Sequence, residues 1–210
     1  MRIIAGSARG LRLSAPPGLG TRPVLDRVKE SWFACLGDRV AGAAVLDLYA
    51  GVGSLGLEAL SRGARSCVFV ESDPGCVRLL RGHLEKARLA DRSDVQRMEV
   101  SLALDALSRS GVRFDLVFLD PPFELAREAA FSAEGGALAR AAGLLAPGGL
   151  AMLRCESGGR GRRSAPQRSA LTGGRGPAEP GEAAPSGTTL SDRRRWGRSE
   201  VLFYVRHDRA

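Results

Sequence analysis

Histidine and cysteine are scarce in this chain, which argues against a metal site or a disulfide framework. Its 210 residues include four cysteines and two histidines. His83 and His207 stand alone, and no two cysteines have the C-x-x-C spacing of a zinc or redox motif. We therefore expect no metal site. We expect reduced, partly buried thiols at Cys35, Cys67, Cys76 and Cys155.

Long hydrophobic runs are also missing. No segment approaches 18 consecutive apolar residues, the length at which a membrane helix becomes plausible. The opening residues 1–6 lack the apolar core of a signal peptide. An apolar content of 44% is nevertheless enough for a globular domain with a real core. We expect a cytoplasmic protein, monomeric and without a membrane partner.

Lysine is nearly absent, so the positive charge is carried by arginine. Lys29 and Lys86 are the two lysines in a chain with a net charge of +8. The net charge is +4 for residues 1–30, −2 for residues 31–153 and +6 for residues 154–210. Basic ends on a near-neutral centre favour a polyanionic partner, although a general bias toward arginine would also explain the total.

Apolar runs alternate with helical patterns along most of the chain. Such alternation predicts an α/β fold with a mostly parallel sheet and helices on both faces. A helix is also expected from Asp26 to about Gly37. The expected strands are residues 43–49, 66–71, 95–100, 114–120 and 150–155. The expected helices between them start near residues 54, 74, 103 and 124, and the last runs to about residue 145.

The composition divides the chain into four expected segments. Residues 1–23 read as a small hairpin followed by a Pro/Gly-rich linker, and residues 24–156 as the α/β core. In residues 157–190, Gly, Pro and Ser fill 16 of 34 positions, so we expect a disordered insertion. Residues 191–210 are expected to supply one strand, Glu200 to Arg206, that closes the sheet edge.

A glycine loop, Gly51-x-Gly53-x-x-Gly56, follows the first expected strand. Alone it fits any nucleotide-like cofactor held at a strand-to-helix turn. Asp47 precedes the loop, and Glu71 ends the second strand, where a carboxylate can accept both ribose hydroxyls. S-adenosylmethionine has no phosphate and carries a positive sulfonium, so the Asp47 charge favours it over a dinucleotide.

Each of these carboxylates also has a plain structural explanation. Asp47 could cap the neighbouring loop, and Glu71 could stabilise the N-terminus of the next helix. Glu99, after the third strand, is a weaker candidate for contacting the adenine, because carboxylates on exposed loops are common.

Asp120-Pro121-Pro122-Phe123 directly follows the fourth expected strand. A purine amine is a poor nucleophile because its lone pair delocalises into the ring. The Asp120 carboxylate and the Pro121 carbonyl can accept its two N–H bonds and turn the lone pair toward a methyl donor. Pro122 restricts the backbone of Pro121, and Phe123 offers a stacking face. The motif therefore predicts an amino-group methyltransferase that works mainly by alignment and electrostatics.

The same segments resemble the RsmD family of bacterial guanine-N2 methyltransferases, which modify 16S ribosomal RNA. The resemblance covers residues 1–155 and 193–205. It is carried by Arg2–Gly6 with Arg9-Gly10, Thr21-Arg22-Pro23, Asp26-Arg27-Val28 with Glu30, Asp47–Gly51, Leu55–Ala64 and Asp120–Phe123. Val52 departs from the Ser or Thr usual in the family, and Val24-Leu25 departs from a more polar pair. Residues 157–190 have no counterpart in it.

The resemblance implies a Rossmann-like class I S-adenosylmethionine-dependent methyltransferase fold with a small N-terminal β-hairpin. It implies guanine N2 in the small ribosomal subunit as the acceptor. It also implies that RNA is bound by arginines of the hairpin, the linker and the start of the following helix: Arg2, Arg9, Arg12, Arg22 and Arg27. It also implies that the cofactor is held by Asp47, Tyr49, Ala50, Gly51, Gly53, Glu71, Glu99 and Asp120.

Other readings remain open on the residues alone. The same chemistry could serve adenine N6 in RNA or DNA, or a glutamine amide, although the basic ends disfavour the amide. A dinucleotide-dependent oxidoreductase would use the same glycine loop. A non-catalytic RNA-binding assembly factor could keep the same fold.

Overall fold

A seven-stranded sheet with helices on both faces forms the body of the protein. The computed structural model describes residues 1–16, 26–127, 134–156, 184–196 and 199–207. The strands are β1 (Ala44–Leu48), β2 (Ser66–Glu71), β3 (Ser93–Arg97), β4 (Phe114–Leu119), β5 (Leu145–Glu156), β6 (Thr188–Trp196) and β7 (Ser199–Arg206). The helices are α1 (Asp26–Leu36), α2 (Ser54–Ser61), α3 (Pro74–Ala87), α4 (Val100–Ser110), α5 (Phe123–Arg127) and α6 (Ala137–Gly143).

The strand order, β3-β2-β1-β4-β5-β7-β6, confirms the predicted α/β class. Strands β1 to β5 run parallel, and β7 pairs antiparallel with both β5 and β6. The chain order reverses at β1, which lies between β2 and β4. Such a switch point leaves a crevice beyond the carboxyl ends of the strands, where open α/β sheets bind their ligands. Within the described ranges, no helix is long and apolar enough to cross a membrane.

The central strands are buried on both faces because their side chains alternate between two apolar cores. Phe118 of β4 packs against Trp32 and Phe33 of α1, with ring centroids 6.4 and 5.9 Å away. Its neighbours Val117 and Leu119 belong to the opposite core, together with α4 and α6. Burying one such side chain stabilises the fold by about 1.5–3 kcal/mol. This packing fixes β4, and therefore the segment that follows it.

The N-terminal segment forms the predicted hairpin, although it makes one antiparallel bridge rather than two full strands. Arg2 and Arg12 face each other across the bridge and are exposed, whereas Ile3 and Leu13 are buried in the core beside α1 and α2. This alternation gives the hairpin one apolar face toward the body and one arginine face toward solvent.

Three predicted boundaries in the core were wrong. The third strand ends at Arg97, and Val100 already belongs to α4, whose N-cap is Glu99. That strand lies at the sheet edge and pairs only with β2 among the described strands, so its polar sequence carries a weak apolar pattern. In the stretch predicted as the last helix, α5 covers Phe123–Arg127 and α6 begins after its N-cap Gly136, while residues 128–133 lie outside the described residues. Leu145 starts β5, and residues 146–149 form an irregularity between the pairs Phe114–Leu145 and Leu116–Leu150.

The C-terminal prediction also needs correction. Residues 157–183 of the expected disordered insertion lie outside the described residues. Its end is ordered, because Thr188 to Leu190 begin β6 and pair with Tyr204 to Arg206 of β7. The C-terminal region therefore supplies two strands, and β6 rather than β7 lies at the edge. The glycines and prolines of the preceding stretch dominate its composition, so the strand propensity of the β-branched pair Thr188-Thr189 did not lead to a predicted strand.

Candidate active site

The sheet register brings the predicted carboxylates to one crevice at the switch point. Leu48 of β1 pairs with Val70 of β2 and with Leu119 of β4. Asp47, Glu71 and Asp120 each lie within one residue of those positions, so their backbones are neighbours at the carboxyl edge. Burial is the main cause that raises the pKa of Asp47, and the negative charges of Asp120 and Glu71 raise it further. Asp47, Glu71 and Asp120 therefore form one acidic cluster at the edge where the crevice is expected.

Asp47 is 1% exposed, and its carboxylate caps the helix that follows the glycine loop. Oδ2 accepts a hydrogen bond of 2.8 Å from the backbone N–H of Gly56. Burial raises the pKa of this carboxyl well above its ordinary value, and the Gly56 N–H opposes the rise. One oxygen of Asp47 therefore caps the helix, as the structural explanation expects, and the cofactor role of Asp47 stays a prediction.

Glu71 ties the glycine loop to the next helix. Its Oε2 accepts from the Gly51 N–H at 2.7 Å, and its Oε1 accepts from the Asp73 N–H at 2.8 Å. Asp73 is itself the predicted N-cap of α3, accepting from the Cys76 N–H at 2.6 Å. A carboxylate oxygen has more than one acceptor site, so Glu71 can hold the loop and still accept a hydroxyl of a ligand.

The three loop glycines are needed for different reasons. A Cβ on Gly53 would come within 2.3 Å of Leu80 Cδ1, and a Cβ on Gly56 within 2.2 Å of the Phe69 ring. Gly51 has a φ of +55°, and a Cβ there would point into open space. The Phe69 ring therefore requires Gly56, the φ of +86° requires Gly53, and Gly51 leaves a free approach to the loop.

One polar atom at the start of α2 lacks a partner. Ser54 is buried, and among the described residues its hydroxyl makes no hydrogen bond. An unpartnered buried hydroxyl is costly unless something else satisfies it.

Tyr49, Ala50 and Glu99 border the crevice beyond β1. Tyr49 adopts a φ of +60°, unusual for a residue with a side chain, and so turns the chain sharply at the end of β1. Burial, followed by the charge of Glu99, raises the pKa of Tyr49 to about 12. The structure thus brings exposed Glu99 near Tyr49, although β3 and β1 are not adjacent. The Ala50 N–H donates to the Val70 carbonyl at 3.1 Å, which closes the turn onto β2.

The Asp-Pro-Pro-Phe tetrapeptide begins at the crevice and leads into α5. Asp120 is bound by Arg154 of β5, whose Nε donates to Oδ1 at 2.5 Å. The Arg154 guanidinium carbon also lies 5.1 Å from the centroid of the Phe123 ring. Burial raises the pKa of Asp120, and the charge and hydrogen bond of Arg154 oppose the rise. Pro121 is buried, and the Pro122 carbonyl accepts from the Ala126 N–H at 3.0 Å.

The predicted RNA ligands that can be placed lie on the hairpin. Arg2, Arg9 and Arg12 are exposed, and Arg2 Nε pairs with Asp26 Oδ2 at 3.2 Å. Like charges placed directly across a bridge, as Arg2 and Arg12 are, repel each other unless an anion intervenes. Arg22 and the side chain of Arg27 lie outside the described residues.

The arginines of the C-terminal run are tied to carboxylates. Arg194 pairs with Asp192 at 2.9 Å, and Arg195 and Arg193 approach Glu200 at 2.6 and 3.6 Å. This pairing offsets part of the +6 balance at that end, so the hairpin is the stronger RNA candidate. A separate groove of about 370 Å³ beside α3 is lined by further arginines that the sequence did not single out: Arg78, Arg81 and Arg97, with Pro74 and Val77.

Arg154, Glu58 and His83 were not predicted as site or support residues. Arg154 had a usable signal, since it is a charged residue inside the apolar run of β5. Parallel strands β4 and β5 end at the same edge, and the pairing of Leu119 with Leu153 puts Arg154 beside Asp120. Glu58 and His83 had no such signal, because each sits in an ordinary helical pattern.

Comparisons with known proteins agree with this geometry. A family model described as Conserved hypothetical protein 95 matches residues 1–166. YlbH of Bacillus subtilis (strain 168), provisionally named an rRNA methyltransferase, is 41% identical over 124 residues, which are 59% of this chain and 67% of YlbH. Ribosomal RNA small subunit methyltransferase D of Escherichia coli (strain K12) is 39% identical over 123 residues, 59% of this chain and 60% of that protein.

The fold gives a longer match than the sequence does. The solved structure of yhhF from Escherichia coli, titled provisionally as a methyltransferase, superposes with a TM-score of 0.73 at 28% identity. The superposition covers 99% of this chain and 98% of the yhhF chain. The sequence matches span between about three fifths and two thirds of the curated relatives' length. By its family match, its relatives and its fold, the chain belongs to the RsmD family and has the class I methyltransferase fold.

Proposed function

We propose that this chain transfers a methyl group from S-adenosylmethionine to the exocyclic N2 amine of a guanine in small-subunit ribosomal RNA. The observation that carries the proposal is the position of Asp120-Pro121-Pro122-Phe123. The motif starts beside Asp47 and Glu71, at the switch point where the sheet opens. The family's acceptor, guanine N2, distinguishes this proposal from an adenine-N6 methyltransferase with the same motif.

The crevice fits S-adenosylmethionine better than a dinucleotide. The charges of Glu71 and Asp120 act on Asp47, and three neighbouring carboxylates favour a cation and repel a pyrophosphate. The open approach over Gly51 leaves room for a ligand on the loop. We assign Asp47 and Asp120 to the positively charged part of the cofactor, Glu71 to the ribose and Glu99 to the adenine side. When bound, the cofactor supplies an electrophilic methyl group on a positively charged sulfur.

The tetrapeptide prepares the acceptor amine. The Asp120 carboxylate and the Pro121 carbonyl accept its two N–H bonds and so direct its lone pair away from the ring. The Pro122 carbonyl accepts a hydrogen bond from the Ala126 N–H at the start of α5, and the ring of Pro122 restricts the backbone of Pro121. Phe123 stacks on the base. Alignment of this kind supplies much of the rate acceleration without a separate nucleophile.

Asp120 is also suited to take the proton that the amine loses. Burial raises the pKa of this carboxyl, and a carboxylate with a raised pKa is a stronger base than an exposed one. The charge and hydrogen bond of Arg154 oppose that rise.

We assign RNA binding to the exposed arginine face of the hairpin, assisted by the groove at Arg78, Arg81 and Arg97. Ribosomal RNA is a polyanion, and arginine binds phosphate in a bidentate manner. A monomeric state and a cytoplasmic location complete the proposal as predictions.

Asp120→Ala tests the proposal, with Asp105→Ala as the control. Asp105 pairs with Arg140 on the surface and has no place in the crevice. We expect Asp120→Ala to reduce turnover about a hundredfold or more, while affinity for RNA changes by less than about threefold. The control should keep normal turnover. Unchanged methylation by Asp120→Ala would mean that the catalytic assignment is wrong.

A further inference from the structure

Arg154 joins the two ends of the catalytic tetrapeptide. Its Nε donates to Asp120 Oδ1 at 2.5 Å, and its guanidinium carbon lies 5.1 Å from the centre of the Phe123 ring. The Arg154 and Asp120 side chains are only 12% and 15% exposed. The guanidinium therefore lies against the carboxylate and the ring in a mostly covered position.

These two contacts are the ones proposed above for the acceptor base. A guanidinium is planar and delocalised, donates N–H bonds in its plane and lies over aromatic rings. The amino edge of guanine is also planar and presents N–H donors in the ring plane. The carboxylate can accept from more than one donor, but a base stacked on the side of the Phe123 ring that the guanidinium covers would overlap the guanidinium. The base can therefore take up the proposed position only after Arg154 has left.

We propose that Arg154 is a built-in occupant of the acceptor slot, a side chain that fills the place of the base and withdraws when RNA arrives. The proposal rests on the function proposed above and adds a specificity-determining residue to it. The Arg154–Asp120 ion pair keeps the slot closed to weakly bound planar amines. RNA opens it because the base replaces both lost contacts and RNA phosphates attract the freed guanidinium.

A purely positioning role for Arg154 makes the opposite prediction. If Arg154 only orients Asp120, its removal lowers kcat and leaves the affinity for the acceptor unchanged. If Arg154 occupies the slot, its removal increases acceptor affinity. An occupant that leaves the slot open less than about a tenth of the time weakens apparent affinity by about tenfold or more.

Arg154→Met tests the proposal, because methionine keeps an unbranched apolar stem without the planar cation. Arg140→Met is the matched control, since Arg140 also pairs with an aspartate, at 2.6 Å, but on α6. The probe is 2-aminopurine riboside, a fluorescent purine with the same exocyclic 2-amino group. We expect Arg154→Met to bind it about tenfold more tightly than wild type, and Arg140→Met to bind it as wild type does. Urea unfolding midpoints identify any variant that is not folded, and Arg154→Gln then replaces Arg154→Met.

Added guanidinium ion provides a second readout. At low, non-denaturing concentration it should compete with the riboside in Arg154→Met by refilling the slot, and it should have little effect on wild type. Equal riboside affinity in wild type and in the folded variant would overturn the proposal, as would lower affinity in the variant. Methyl transfer by wild type, measured in parallel, tests the proposed function separately, since the binding comparison needs no turnover.

Discussion

Lys29 Nζ lies 3.2 Å from Glu58 Oε2, and neither side chain has any exposed surface. Glu58 also accepts from the N–H groups of Ile4 and Ala5 at 2.8 and 3.0 Å, and from Arg62 Nε at 2.8 Å. Lys29 donates to the Arg2 carbonyl at 2.6 Å. This network fastens the hairpin to α1 and α2, so the proposed RNA-binding element is joined directly to the helix that follows the glycine loop.

Replacing Lys29 by methionine should destabilise the fold by about 3–5 kcal/mol, because it leaves the buried Glu58 carboxylate without its lysine partner. Urea unfolding measures the change. Lys86→Met is the control, since Lys86, the other lysine, is exposed, and it should change stability by less than about 0.5 kcal/mol. Equal effects of the two substitutions would show that the buried network contributes little.

His83 makes the attachment of the hairpin sensitive to pH. Its Nε2 accepts from the Ser14 N–H at 3.0 Å, and its Nδ1 lies 3.2 Å from the Val52 carbonyl, which can only accept. Both bonds require one neutral tautomer, with the proton on Nδ1. Burial lowers the pKa of His83, the Val52 carbonyl opposes this, and Lys86 adds to it.

Because the folded-state pKa is the lower one, the stabilising contribution of neutral His83 is complete above the unfolded pKa of about 6.5. It falls as the pH drops below that value. Urea unfolding between pH 5 and 8 should therefore show stability declining on the acid side in wild type and less so in His83→Gln. His207→Gln, at the exposed second histidine, should behave as wild type does. The same acid-side slope in His83→Gln and wild type would refute this account.

Asp47→Asn should separate stability from cofactor binding. Burial raises the pKa of Asp47, so this carboxyl costs the folded state stability above its unfolded pKa, and that cost grows with pH until the raised pKa is passed. Asparagine can still accept from the Gly56 N–H, so the melting temperature should stay equal or rise. Affinity for S-adenosylmethionine should fall roughly tenfold or more, by calorimetry, because the crevice loses a negative charge.

Asp47→Ala is the companion variant, since it removes the cap as well as the charge. Its melting temperature should fall, with a loss of about 1 kcal/mol. If Asp47→Asn binds S-adenosylmethionine as tightly as wild type, Asp47 serves only as a cap.

The arginine face of the hairpin should set the salt dependence of RNA binding. The double substitution of Arg2 and Arg12 by glutamine should weaken RNA binding and reduce the slope of log K against log salt by roughly 1.4 to 2. Arg109→Gln on α4 removes an arginine on the opposite side of the sheet and should leave the slope unchanged. Fluorescence anisotropy at several salt concentrations measures both slopes, and an unaltered slope in the double variant would move the RNA site elsewhere.

The sequence predicted those parts of the fold and of the candidate site that depend on short local patterns. Continuous apolar runs marked β1, β2 and β4, and Asp73-Pro74 marked the start of α3. The carboxylates Asp47, Glu71 and Asp120 could be placed together because parallel strands end at one edge. Their individual roles stay predictions, since each also has a hydrogen bond within the protein.

The features that could not be predicted from the sequence depend on contacts between residues far apart in the chain. Lys29 and Glu58 each lie in an ordinary helical pattern, and only the docking of α1 against α2 buries them together. The order of β6 and β7 follows from antiparallel pairing, which composition does not encode. Arg154 stands out in its apolar run, but its contact with Phe123 depends on the path of the chain after Pro122.

Mass mapping of modified nucleosides tests the central claim most directly. Small ribosomal subunits from an unmethylated source would be incubated with the purified chain and S-adenosylmethionine, and their RNA digested and analysed. The account predicts N2-methylguanosine at one position of the small-subunit RNA, and none with Asp120→Ala. N6-methyladenosine instead, or no methylation of RNA while the chain binds the cofactor, would contradict it.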